Sequence, residues 1–113
     1  MGYPPVNIVN STNYIVSGTV SYASVFCSND AYTVTPYTSW ETSRGVCLVT
    51  NISAVVKTPK GDIQATPYTS SGTSYSQFAV FQKGPDSFEV TRRVTGHEDS
   101  RPADHVEPTS AQK

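Results

Sequence analysis

Histidine is missing from the first 95 residues of this 113-residue chain, since its two copies stand at His97 and His105. A Ser-His or Cys-His nucleophile pair needs an imidazole, and so does a metal site built on histidines. The carboxylates within residues 1–95 are separated from one another along the chain, and Asp30 and Asp62 lie in sequence typical of turns. We therefore predict that the protein is not an enzyme and that it holds no metal or cofactor.

Charge is also scarce, because charged residues make up 15% of the chain and the formal net charge is -1. No basic field exists that would attract nucleic acid. No apolar run approaches the roughly 18 residues of a membrane span, so no transmembrane segment is expected. The first residues do not resemble a signal peptide. The compartment stays open: the chain is cytosolic, released, or a mature secreted form to which Met1 was added.

Residues that favour helices are the third shortage. Leucine occurs once, at Leu48, and Ala, Leu, Glu, Lys and Gln cluster nowhere before residue 96. Ser, Thr and Tyr are abundant, which is typical of strands. Turn signals divide eight apolar runs, which predict strands over 6–10, 14–22, 24–27, 32–34, 46–56, 63–65, 75–82 and 87–94. The fold class predicted is all-β: a small antiparallel β-sandwich of seven or eight strands.

The run over 46–56 is the longest and predicts the most central strand. Its inward face is expected to carry the alternating apolar residues Val46, Leu48, Ile52, Ala54 and Val56. Gly18 interrupts the run over 14–22 and predicts a bulge or a close backbone approach. Residues 1–95 are interpreted as the sandwich domain and 96–113, which are polar, as a flexible or loosely attached tail.

The chain has two cysteines, Cys27 and Cys47, both in strand-like sequence. A disulfide between them is predicted, and the chain-entropy relation gives it roughly 3 kcal/mol of stabilisation. Two reduced thiols buried as small apolar side chains are the alternative.

One pentapeptide, Thr-Pro-Tyr-Thr-Ser, occurs twice, at 35–39 and at 66–70. Each copy follows a strand-like run and opens a polar, aromatic turn. An internal duplication and a coincidence of composition both explain the repeat. The two turns form a single site only if they lie at the same end of the sandwich.

Aromatic side chains in polar loops on a rigid β scaffold are typical of binding surfaces. A glycan or a lipid headgroup is the expected partner, because both combine apolar faces with hydroxyl or charged groups. The candidate binding residues are Tyr37, Trp40, Glu41, Arg44, Tyr68, Ser70, Ser71, Thr73 and Tyr75. The structural alternative is that Trp40 covers the end of the sandwich and that the tyrosines pack on neighbouring prolines.

With its all-β composition and aromatic polar loops, the chain is similar to fungal and bacterial defence lectins and to aegerolysin-type membrane binders. The resemblance implies a non-enzymatic, lectin-like or defence-type binding module, and it assigns no individual residue. A self-associating protein that forms a homodimer through exposed edge strands is the second hypothesis. A membrane-active toxin component is the third.

Overall fold

The computed structural model describes residues 2–93, which form ten strands and no helix. The strands are β1 Val6–Asn10, β2 Ile15–Tyr22, β3 Asp30–Val34, β4 Ser39–Thr42, β5 Val49–Ile52, β6 Val55–Thr58, β7 Gly61–Gln64, β8 Tyr68–Thr73, β9 Gln77–Gly84 and β10 Ser87–Arg92. In this part of the chain no helix exists that is long and apolar enough to cross a membrane. The predicted tail, 96–113, lies outside the described residues.

The strands form two sheets, which confirms the all-β, sandwich-like fold. In the first sheet the order is β10-β9-β1-β4, with β1 parallel to β9 and antiparallel to β4. In the second sheet β2 is central: β3 pairs with one of its edges, and β5 and β6 share the other. Strands β8 and β7 extend this sheet beyond β5 and β6. The β1–β9 pair is the one parallel pairing among these named strands.

The core lies between the sheets and consists of β-branched and aromatic side chains. In β1, buried and partly exposed residues alternate, as the period of two requires. Phe78 and Phe88 are the largest fully buried side chains. Valines and isoleucines surround them, and each element contributes its inward positions, among them Val6, Ile8, Val16, Val20, Val49, Ile52, Val56, Val80 and Val90.

The predicted long strand over 46–56 is divided into β5 and β6 by an interruption at residues 53–54, and the register with β2 is the same on both sides of it. The backbone N–H of Ser53 donates to the carbonyl of Thr19 at 3.0 Å, and the Ser53 hydroxyl accepts from the Thr19 N–H at 3.1 Å. The Ser53 side chain thus takes the place of a backbone acceptor and interrupts the regular ladder. The inward face also differs from the prediction, since Val46 is 69% exposed and Val49, which alternation had placed outward, is buried.

Three further segments account for the difference between eight predicted strands and ten. Residues 24–27 form a turn instead of a strand. Residues 39–42 and 68–73, which were interpreted as polar loops, pair as β4 and β8. Both are short and rich in Ser and Thr, so their strand character depends on the neighbouring strands.

The close backbone approach predicted at Gly18 is confirmed. A Cβ built on Gly18 would lie 1.9 Å from the Ser53 carbonyl oxygen. The predicted disulfide between Cys27 and Cys47 is also present, with a Cα–Cα distance of 6.2 Å.

Candidate functional site

Three large apolar side chains project from the same region of the surface. Val25 is 94% exposed, Phe26 is 93% exposed and Val46 is 69% exposed. They stand on two turns, 24–27 and 44–47, which the disulfide joins. We call Val25, Phe26 and Val46 the apolar tip. Single exposed apolar residues are common on protein surfaces, whereas a group of them in one place indicates a contact surface.

Local hydrogen bonds hold the first of these turns in place. The Cys27 N–H donates to the Ser24 carbonyl at 3.0 Å, and the Phe26 N–H donates to the Ser24 hydroxyl at 3.0 Å. The Ala23 N–H donates to the Leu48 carbonyl at 2.9 Å. This bond joins the base of the first turn to the residue that follows the second turn. These bonds fix the backbone of the turn on which Val25 and Phe26 stand exposed.

The second turn is anchored to the body of the protein by Arg44, which is only 5% exposed. Its guanidinium donates to the carbonyl of Pro4 at 3.0 Å and lies 5.2 Å from the ring centroid of Tyr3. It donates further to the carbonyls of Thr73, Ser74 and Tyr75 and to the hydroxyl of Ser76. Arg44 was a candidate ligand residue. These contacts give it an internal role, so we do not include it in the exposed surface.

The predicted aromatic residues do not gather at one place. Tyr37 is 66% exposed and lies at the end of β1 where its N–H donates to the Asn10 carbonyl at 2.8 Å. Tyr75 lies near the start of β1, because the next residue, Ser76, accepts a 2.8 Å hydrogen bond from the Asn7 N–H. The guanidinium carbon of Arg92 is 3.7 Å from the Tyr75 ring centroid.

Trp40 and Tyr68 are half-buried and pack on the core. The Trp40 ring centroid is 5.3 Å from that of Tyr32, and the Tyr68 centroid is 4.9 Å from that of Phe78. Both rings therefore contribute to the packing between the sheets. Their additional use in binding stays a prediction.

Of the polar candidates, Ser70 and Thr73 make hydrogen bonds within the fold. The Ser70 hydroxyl donates to the Val49 carbonyl at 2.7 Å and accepts from the Gly72 N–H. Thr73 is fully buried, and its hydroxyl accepts from the Tyr75 N–H at 3.1 Å. Glu41 and Ser71 are exposed.

The two copies of the repeat adopt different structures. Tyr37 of the first copy stands in a turn with φ of 59°, a region that residues other than glycine seldom adopt. Tyr68 of the second copy is the first residue of β8 and lies opposite Ile52. Identical pentapeptides therefore present one tyrosine to solvent and the other to the core, and they do not form two equivalent binding loops.

Beside the tip, Tyr22 at the end of β2 is hydrogen-bonded to Asp30 at the start of β3. The Tyr22 hydroxyl donates to Asp30 Oδ2 at 2.6 Å. Burial, followed by this hydrogen bond and the negative charge of Asp30, raises the pKa of Tyr22 well above its usual range. Within the turns 24–27 and 44–47 the one charged side chain is Arg44, which is buried.

Residues 2–93 contain no group of three or more His, Cys, Asp or Glu side chains arranged to hold a metal ion. No protein-family model, no curated protein and no solved structure matches this chain. The interpretation of the site therefore rests on its own residues.

Sequence reasoning missed the apolar tip because Val25 and Phe26 are strong strand formers next to a cysteine. Composition favours a strand at this position, and alternation alone does not distinguish an inward from an outward side chain. The one available signal was the polar sequence on either side, Ser24 before the pair and Ser28-Asn29 after Cys27.

Proposed function

We propose that this protein is a non-enzymatic binding module that attaches to lipid bilayers by inserting its apolar tip among the headgroups. The observation that carries the proposal is the exposure of two adjacent apolar residues, Val25 at 94% and Phe26 at 93%, on a hydrogen-bonded turn. An apolar side chain in this position gains free energy when it leaves water, and the interfacial region of a bilayer provides such a place.

The expected affinity is modest. Full transfer of a valine or phenylalanine side chain out of water contributes about 1.5–3 kcal/mol. Three side chains that are transferred in part would contribute roughly 5 kcal/mol in total, which corresponds to a dissociation constant near 0.2 mM. Binding of this strength is reversible, and several copies on one vesicle would bind independently.

The shape of the tip favours a bilayer over a folded protein partner. Val25 and Phe26 protrude from a turn, whereas a stable protein interface uses a patch of roughly 800 Å² on each partner. The disulfide fixes the two turns relative to each other, so little conformational entropy is lost on insertion. Within these turns the one charged side chain, Arg44, is already buried, so insertion desolvates no exposed ionic group of the turns.

Co-flotation with phosphatidylcholine vesicles tests the proposal directly. We expect the full chain to float with these neutral vesicles, and to do so equally at low and high salt, because the attraction is apolar. Phe26→Ser should reduce the bound fraction by an amount equivalent to about a tenfold loss of affinity. The fold should not change, since Phe26 is 93% exposed.

Tyr37→Asn is the matched control, because it removes an exposed aromatic ring at another site. Asparagine tolerates the positive φ of this position. We expect its flotation to equal that of the unmodified protein. Binding that depends on Tyr37 and not on Phe26 would instead support a headgroup or glycan site at the aromatic loops.

Light scattering across a concentration series examines the second hypothesis, self-association. A dimer that dissociates on Phe26→Ser, in a protein that leaves vesicles unbound, would assign the tip to a protein contact and overturn the proposal. A monomer that floats with vesicles supports it.

A further inference from the structure

A small cleft lies between two hairpin turns. One turn, at Pro59 and Lys60, joins β6 to β7, and the other, at Pro85 and Asp86, joins β9 to β10. Tyr14, just before β2, completes the wall together with Thr58. We call this space the hairpin cleft, and its volume is about 180 Å³. Sites for drug-sized ligands measure roughly 300–1,000 Å³, so the hairpin cleft suits one small ring.

The apolar part of the cleft is a tyrosine ring in a fixed orientation. Tyr14 packs edge-on against buried Phe88, with ring centroids 6.1 Å apart and an interplanar angle of 82°. Its carbonyl accepts hydrogen bonds from the Asn10 amide at 2.7 Å and the Thr12 hydroxyl at 3.1 Å. Asn10 and Thr12 are both buried. This internal network holds the backbone of Tyr14 in one place.

The polar part of the cleft is an ion pair at its rim. Lys60 Nζ lies 3.7 Å from Asp86 Oδ1, and the two side chains are 78% and 58% exposed. An exposed ion pair of this kind contributes little to stability, so either partner can turn toward a ligand at small cost. Asp86 offers two acceptor oxygens and Lys60 offers three donor hydrogens.

From this combination we infer that the hairpin cleft binds a single pyranose ring of a glycan. A pyranose has one face of C–H groups, which can lie against the Tyr14 ring, and a rim of hydroxyl groups. Neighbouring hydroxyls can donate to the Asp86 carboxylate and accept from Lys60. Pro59 and Pro85 supply further apolar surface on either side.

This site is separate from the lipid contact and does not depend on it. Tyr14 precedes β2 and the turn of the tip follows it, so the eight residues of that strand, which rise roughly 25 Å, lie between them. A sugar in the cleft therefore cannot be the headgroup of a lipid that the tip contacts. A protein bound to a bilayer through its tip would present the cleft away from that bilayer.

The experiment is a titration of the full chain with methyl pyranosides, monitored through the amide chemical shifts in ¹H–¹⁵N spectra. The panel consists of the glucoside, galactoside, mannoside, fucoside and N-acetylglucosaminide. We expect at least one of them to shift the amides of Tyr14, Lys60 and Asp86 in a saturable way, with the amides of the apolar tip unchanged.

Asp86→Ala should weaken that binding by about tenfold, the effect of losing hydrogen bonds to a charged group. Asp62→Ala is the matched control. Its side chain is also 58% exposed and also pairs with a lysine, Lys57, but it lies outside the lining of the cleft. We expect this variant to bind like the unmodified protein. Three results would overturn the inference: no pyranoside shifts any amide, the shifts fall elsewhere, or the two variants weaken binding equally.

Discussion

The hydroxyl of Tyr32 donates a 2.7 Å hydrogen bond to the carbonyl oxygen of Ser53, which lies in the interruption between β5 and β6. Gly18, on the strand between them, lies directly opposite Tyr32 in the β2–β3 register. The ring passes over the position that a side chain on Gly18 would occupy: a Cβ there would be 2.9 Å from Tyr32 Cε1. The bond can therefore form only above a glycine.

Gly18→Ala is expected to be strongly destabilising. The added methyl group would lie 1.9 Å from the Ser53 oxygen, so β2 or the segment at Ser53 must move. We expect a loss of about 3 kcal/mol or more in the free energy of unfolding, measured by urea denaturation. Gly84→Ala is the control, because its Cβ would meet nothing nearer than 3.8 Å. If both variants unfold at the same urea concentration, the close approach at Gly18 does not matter for stability.

Alkaline pH should destabilise the protein through its buried tyrosines. Burial raises the pKa of Tyr32 well above its usual range, and burial together with Asp30 does so for Tyr22. The unfolded chain releases these protons near pH 10, whereas the folded chain retains them to higher pH. Stability should therefore be level below about pH 9 and decrease as the pH rises above 10.

Denaturation curves between neutral and alkaline pH measure this slope. Tyr32→Phe removes one of the two hydroxyl groups whose pKa is raised, so the stability of this variant should decrease less steeply with pH than that of the unmodified protein. The same variant should be less stable at neutral pH by about 1–2 kcal/mol, because the Ser53 carbonyl loses its donor. An unchanged alkaline slope would contradict the role assigned to Tyr32.

Arg44→Lys tests the anchor beneath the second turn of the tip. An ammonium group cannot reach the carbonyls of Pro4, Ser74 and Tyr75 at once, as the planar guanidinium does. We expect a loss of about 2–4 kcal/mol, because buried carbonyls lose their donors. Arg92→Lys keeps a cation near the Tyr75 ring and should cost less than about 1 kcal/mol. Equal losses in the two variants would count against the anchoring role.

Reduction of the disulfide should lower stability without abolishing the two sheets. Cys27 and Cys47 are 20 residues apart, for which the chain-entropy relation gives roughly 3 kcal/mol. Thermal unfolding with and without a reductant measures the effect. A variant with both cysteines replaced by alanine should be insensitive to the reductant. A reductant effect that persists in this variant would have another origin.

Local sequence was sufficient to predict the regular strands. The run over 6–10 was predicted as a strand and forms β1, in which Val6, Ile8 and Asn10 are buried and Asn7 and the apolar Val9 are partly exposed. The disulfide was also predictable, because the chain has two cysteines in all, although both lie outside the strands. For the strands, the information is contained within a few neighbouring residues.

The features that escaped prediction depend on contacts between distant residues. Tyr37 and Tyr68 have identical neighbours on both sides, yet one is placed by Asn10 and the other by Ile52. The outward direction of Phe26 similarly results from the pairing of Ala23 with Leu48 and from the disulfide. The candidate site was the least predictable part, because a surface loop has no alternating pattern that reveals which way its side chains point.

The parallel pairing of β1 with β9 has a consequence for the order in which the protein is assembled during synthesis. Asn7 and Ile8 are opposite Gln77 and Phe78, so β1, which leaves the ribosome before β9, must wait for that strand. The second sheet uses strands between Ile15 and Thr73 only, and it can therefore be complete while the first still lacks β9 and β10. During that interval β1 has β4 as its one hydrogen-bonded neighbour, and Ile8 still lacks Phe78, which lies opposite it in the completed sheet. The strand β1 is thus among the last to be paired on both edges.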